Sequence, residues 1–228
     1  MKVIHFDEPA ALELSLSRKI GEDLEALVFE YGQATLLVSG GSSPIGLFRQ
    51  LAQTKLSWKR IRVALIDERF VPADNEHSNE RTVRANLIQG LASKAAFTGM
   101  IYDSYSLENN LELTRKAYGE IIGSGNYISL LGMGTDGHTA SLFPGDPASE
   151  RNLEGEHAAG IINTLAPDFP HERISCNKQM ILKSKKIYLL ISGKPKLDVL
   201  NEAVEKDLPV SRFMEHKHIE TYFSEQKL

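Results

Sequence analysis

The chain has 228 residues, 42% hydrophobic and 25% charged, with 26 Lys and Arg against 30 Asp and Glu for a formal net charge of −4. Those proportions exclude disorder, collagen or a coiled coil as a global description. The mild acidity disfavours a nucleic-acid partner, because such binders are usually basic. Residues 3–6 read as a strand. Residues 10–31 place Leu12, Leu16, Ile20, Leu24 and Leu27 at helical spacing. Residues 34–39 form a continuous apolar run that stops at Gly40-Gly41, as a strand buried on both faces does. A helix over 44–53 follows, with Pro44 in its first turn. Residues 61–67 read as the next strand, 78–91 and 107–122 as helices, and 127–131 as another buried strand. The middle of the chain is rich in loop residues. A strand at 187–191 and a helix at 196–204 follow it, and 219–223 reads as a final edge strand.

Alternating strands and helices predict an α/β fold with a parallel sheet covered on both faces. No repeat or linker interrupts residues 1–228, which read as one domain. Ligands of open α/β sheets bind beyond the carboxyl ends of the strands. The segments after Ser39, Asp67, Leu131 and Ser192 are therefore where chemistry is expected. No run of about 18 apolar residues offers a membrane span. The first residues, Met1-Lys2-Val3-Ile4-His5-Phe6-Asp7-Glu8, turn acidic early and do not read as a signal peptide. The expected location is the cytoplasm. The lone cysteine, Cys176, permits no intramolecular disulfide and argues against a cysteine-based zinc site.

Four segments carry the candidate chemistry. Ser39-Gly40-Gly41-Ser42-Ser43-Pro44 runs from a buried strand into a helix, a geometry that suits phosphate. It has no lysine of a Walker loop, and its plain alternative is a βα turn with Ser42 or Ser43 as helix cap. Asp67-Glu68-Arg69 places two acids and a guanidinium at a strand end, where they either meet a polar ligand or form a surface ion-pair cluster. Leu131-Gly132-Met133-Gly134-Thr135-Asp136-Gly137-His138 contains a literal G-x-G-x-x-G. The dinucleotide reading fails because Pro144 comes too soon for a long crossover helix and no acid-ended strand follows at the required distance. The glycines instead shape a tight loop presenting Asp136 and His138, and an imidazole can take a proton from water near neutral pH. Finally, Arg173 and one of Lys194 or Lys196 supply cations able to reach a phosphate. Cys176 has no activating neighbour, and His216 and His218 lack further metal ligands nearby.

Together these segments resemble the 6-phosphogluconolactonases. The match rests on SGGSSP at 39–44, DERFVP at 67–72 and LLGMGTDGHTASLFPG at 130–145, supported by ERIS at 172–175 and SGKPK at 192–196. It runs from about residue 34 to 214. The resemblance implies a Rossmann-like three-layer αβα architecture with a mostly parallel sheet. It implies hydrolysis of 6-phospho-D-glucono-1,5-lactone to 6-phosphogluconate, with a sugar-phosphate lactone as the partner molecule and neither metal nor cofactor. His138 would activate water, with Asp136 and Gly134 shaping its loop. Gly40, Gly41, Ser42, Arg173 and Lys196 would hold the phosphate. Arg69 would meet the substrate and charge developing on the lactone oxygen, with Asp67 and Glu68 as further substrate contacts. Ser43 stands where the family more often has Thr, and Ser175-Cys176-Asn177 replaces a Leu-Thr run, so no charged group is lost.

The nearest rivals are the glucosamine-6-phosphate deaminases and isomerases of the same wider group. Their DGHxxxNE pattern carries an acid five residues after the histidine, where this chain has Phe143. A non-catalytic sugar-phosphate sensor would be expected to lose the base, and His138 is present. A monomer and a small homo-oligomer are both compatible with the sequence. Residues 144–171 are compatible with either a lid or a plain surface connection.

Overall fold

The computed structural model describes residues 2–228. In chain order the elements are β1 (Lys2–Phe6), α1 (Pro9–Tyr31), β2 (Ala34–Val38), α2 (Ile45–Gln53), β3 (Ile61–Leu65), β4 (Asp67–Arg69), α3 (Asn79–Asn86), β5 (Ala96–Thr98), α4 (Leu107–Ser124), β6 (Tyr127–Leu131), α5 (Pro147–Glu154), β7 (Ile161–Leu165), β8 (Glu172–Cys176), α6 (Lys178–Leu182), β9 (Ile187–Ser192), α7 (Lys194–Glu202), α8 (Ser211–Met214) and β10 (Ile219–Ser224). Seven strands form one parallel sheet in the order β1-β10-β9-β6-β2-β3-β5, flanked by helices. The fold class read from the alternation is the one observed. The central strands β2 and β6, ATLLV and YISLL, are buried at every position, as strands covered on both faces require. Helix α1 buries Leu12, Leu16, Ile20, Leu24 and Leu27 against this sheet and ends at Gly32.

Several expectations change. The run 61–67 is two strands rather than one. The Ile66 amide donates to Val38 O in the large sheet, while its carbonyl accepts from the Cys176 amide of β8. The chain therefore changes sheets at Ile66, and Asp67 opens a second, antiparallel sheet in the order β4-β8-β7. The middle read as loops contains α5, β7, β8 and α6. Within 144–171, Leu153 and Ile161 belong to the buried core, so this stretch is built into the fold. The predicted helix 78–91 is only Asn79–Asn86, followed by a 3₁₀ turn at Gly90–Lys94. The last strand is no edge: β10 lies between β1 and β9, and β1 and β5 are the edges. Neither Ser42 nor Ser43 caps α2; Pro44 precedes it with no side-chain cap. Among the described residues no helix is long and apolar enough to cross a membrane.

Candidate active site

A cavity of about 270 Å³ opens at the carboxyl ends of β2, β6 and β9, where the second sheet meets the first. It is lined from five separated parts of the chain: 39–44, Asp67 with Arg69 and Asn79, the 130–140 segment, Arg173, and Leu190 with Lys196. The segments expected to hold chemistry thus converge. The structure brings together Gly40, Gly41, Ser42, Asp67, Arg69, Gly134, His138, Arg173 and Lys196. Asp136 does not line the cavity and is partly exposed beside His138, Glu68 is buried away from it, and Lys194 is exposed outside it.

The loop after β6 is folded on itself by backbone hydrogen bonds from the Gly134 amide to His138 O and from the Gly137 amide to Gly134 O. The Thr139 hydroxyl donates to Gly132 O at 2.8 Å and ties its far side. The His138 Nδ1 lies 2.6 Å from Asp136 Oδ1. That pairing fixes Nδ1 as the protonated nitrogen and leaves Nε2 with its lone pair free. Burial alone would raise the Asp136 carboxyl, but the hydrogen bond and charge of His138 outweigh it and hold the group below its ordinary value. Gly134 is needed for close approach: a Cβ there would lie 2.3 Å from the imidazole and 2.4 Å from Asp136 Oδ1. The imidazole also packs on Phe143, with ring centroids 4.7 Å apart. Phe143 is buried.

The cations come from the second sheet and from α7. Arg69 and Arg173 are register partners on adjacent antiparallel strands, so both side chains emerge on one face. Arg173 is 8% exposed, donates from Nε to Pro170 O at 2.8 Å, and lies with Cζ 5.6 Å from the Phe143 ring centroid. Burial and then the neighbouring Arg69 charge pull it below its usual range. Arg69 donates to His77 O, and its Nε is buried without a partner. Lys196, in the first turn of α7, is half-buried, and burial lowers its ammonium below the ordinary value. Asp67 accepts from Ser141 Oγ at 2.8 Å. Cationic side chains held close in a half-buried cleft focus positive potential and favour an anion.

Glu68 is fully buried and does not line the cavity. Its Oε1 accepts from the amides of Arg69 and Asn79, and its Oε2 accepts from the Glu80 amide and the Ser78 hydroxyl. It therefore clamps the start of α3 to β4. This clamp seats Asn79, whose Nδ2 donates to Asp67 O at 2.8 Å and whose side chain packs so tightly on Gly40 that a Cβ there would meet its Oδ1 at 2.1 Å. Burial raises Glu68 from 4.5 to about 7, although the four hydrogen bonds pull downward. The rotatable Ser78 hydroxyl can accept as well as donate, so a protonated carboxyl keeps a partner.

Glu68→Gln should lower unfolding free energy by about 2 kcal/mol, because its amide would face the Glu80 N–H. A folded pKa above the unfolded one means that wild-type stability from this group is full below about pH 4.5 and lost as pH rises toward about 7. The deficit of the variant should therefore be largest at about pH 4.5 and narrow toward about pH 8 in urea denaturation.

Ser39 and Asn79 also line the cavity, and Ser39 Oγ is buried without a partner. Ser39 opens the segment expected to meet phosphate, whereas Asn79 is not among the expected contacts. A polar residue ending a buried apolar run was the available signal for Ser39; nothing local marks Asn79, which arrives through Glu68. Among the described residues no three His, Cys, Asp or Glu are grouped as metal ligands, and His216 and His218 lie outside the cavity, with ring centroids 5.5 Å apart.

The sequence pattern of the family described as glucosamine-6-phosphate isomerases/6-phosphogluconolactonase matches residues 7–223. A 6-phosphogluconolactonase of Pseudomonas aeruginosa is 36% identical over 203 residues, which are 87% of this chain and 85% of that protein. The crystal structure of a 6-phosphogluconolactonase from Shewanella baltica superposes with a TM-score of 0.89 at 35% identity, over 98% of this chain and 97% of that one. A monomeric glucosamine-6-phosphate deaminase superposes with a TM-score of 0.77 at 22% identity, over 98% of this chain and 97% of that one. Likeness at that lower identity is likeness of fold alone, so the choice of chemistry rests on the cavity.

Proposed function

This chain belongs to the glucosamine-6-phosphate isomerase/6-phosphogluconolactonase family, and from that premise we propose that it is a 6-phosphogluconolactonase, hydrolysing 6-phospho-D-glucono-1,5-lactone to 6-phosphogluconate. One observation carries the choice: an imidazole held by a carboxylate opens onto the same cavity as two guanidiniums and an ammonium, while Phe143 occupies the deaminase acid position.

In this reading the substrate phosphate sits among Arg173, Lys196 and the 40–42 backbone at the start of α2. It supplies binding energy remote from the reacting carbonyl and orients the ring. His138 Nε2 takes a proton from a water as the water oxygen bonds to the lactone C1. The Arg69 guanidinium meets the negative charge that develops on the carbonyl oxygen. As the intermediate collapses, the C1–O5 bond breaks and the imidazolium returns its proton to O5. Asp136 keeps the tautomer and stabilises the transient imidazolium. Asp67, with one oxygen bound to Ser141, offers an acceptor to a sugar hydroxyl. A lactone carbonyl is already electrophilic, so one base and one oxyanion contact suffice for the step.

The test is a paired assay. Freshly made 6-phosphogluconolactone should open faster with the protein than in a matched control without it, and glucosamine-6-phosphate should yield no fructose-6-phosphate. Lactone opening at the control rate, or formation of fructose-6-phosphate, overturns the reading.

A further inference from the structure

The two arginines of the cavity are each tied to a main-chain carbonyl outside it. Arg69 donates to His77 O, in the loop between β4 and α3. Arg173 donates to Pro170 O, in the connection between β7 and β8. That connection is closed by the Ala166 amide on His171 O and by His171 Nδ1 against Ala166 O. The β4–β8 ladder joins the two segments at their bases. Beyond the ladder the Phe70 amide donates to Glu172 O, and further out one side chain spans the two segments. The Phe169 ring stands edge-on to His77, with centroids 5.8 Å apart and planes at 86°, and edge-on to His171 at 6.2 Å and 82°.

Phe169 remains 71% exposed. A ring that wet contributes little to a core, and its two aromatic contacts lie at the carbonyl-bearing segments. The arrangement answers an electrostatic difficulty. Two guanidiniums on register-paired residues repel one another, and each would turn outward to water unless held. A carbonyl oxygen facing each guanidinium offsets part of that repulsion, provided that both carbonyls stay in place. Phe169 spans the gap between the segments that bear them.

We propose that Phe169 is a positioning residue for anion binding: its ring clasps the His77 loop to the β7–β8 connection, so that the carbonyls of His77 and Pro170 hold Arg69 and Arg173 aimed into the cavity. The inference rests on the sugar-phosphate reading of that cavity. It adds a residue of the rim that acts through the arginines.

The experiment measures the dissociation constant of 6-phosphogluconate by calorimetry and KM for the lactone in Phe169→Ala, Phe169→Tyr, Arg69→Ala and the Phe169→Ala/Arg69→Ala double variant. Phe169→Ala should weaken binding about fivefold, roughly the loss of one supported hydrogen bond. Phe169→Tyr, which keeps the ring, should restore it. In the double variant the two losses should be less than additive, because one acts through the other. The melting temperature should stay with that of the wild type, since the ring is exposed. Unchanged binding in Phe169→Ala, or strict additivity with Arg69→Ala, overturns the clasp. An active wild type with either result overturns the clasp alone, whereas a wild type that does not accelerate lactone opening overturns the substrate reading beneath it.

Discussion

His138→Ala should lower kcat for lactone hydrolysis about 10³-fold, within the range that a positioned general base contributes, while 6-phosphogluconate still binds within about twofold of wild type. The expectation follows from a division of labour in the cavity. The imidazole is held by Asp136 and Phe143, and the cations proposed to bind the anion come from β4, β8 and α7. Removing the ring takes away the proposed proton acceptor and leaves the cations where they are. Asp136→Asn should lower kcat by less, because the imidazole remains but its tautomer is no longer specified. Lactones open unaided, so rates must be read above a matched control. A His138→Ala enzyme that keeps full kcat would refute the base, and one that loses product binding as well would place the imidazole in the binding site.

Much of this site is legible in the sequence, and the particular residues show why. Two apolar runs end on glycines at 40 and 132, and a strand buried on both faces can end that way only at a sheet rim. That fact places both loops at the carboxyl end of one sheet before any coordinates are known. The crossing at Ile66 was not legible, because a continuous apolar pattern does not say which sheet accepts each hydrogen bond. The consequence fell on Glu68. Taken as a strand, 67–69 would have placed Asp67 and Arg69 on one face and Glu68 on the other. With the strand read as ending at Asp67, Glu68 and Arg69 fall in the turn beyond it, where no face is assigned, and all three are equally available to a ligand. The three-stranded sheet was missed for a related reason. ERISC mixes charged residues with Ile174 and Cys176, and its strand character comes from pairing with β4 and β7. Net charge, too, describes only the whole: a chain at −4 collects Arg69, Arg173 and Lys196 around one cavity.

The second large effect concerns that cluster. Arg173→Ala should raise KM for 6-phosphogluconolactone about 100-fold, on the order of 2–3 kcal/mol for losing a buried charge-assisted contact. The more telling readout is preference. Wild type should favour the phosphorylated lactone over glucono-1,5-lactone in kcat/KM, and Arg173→Ala should shrink that ratio by nearly the same factor, since the unphosphorylated substrate never used the contact. Arg173→Lys should not recover it. The guanidinium donates to Pro170 O through Nε while its forked end stays free for an anion, and a single ammonium cannot do both from the same backbone position. Its planar face also lies over Phe143, the ring that backs His138, so a modest fall in kcat should accompany the change in KM. If the preference ratio stays at the wild-type value, Arg173 does not meet the phosphate. The anion site would then have to be built from Lys196 and the start of α2.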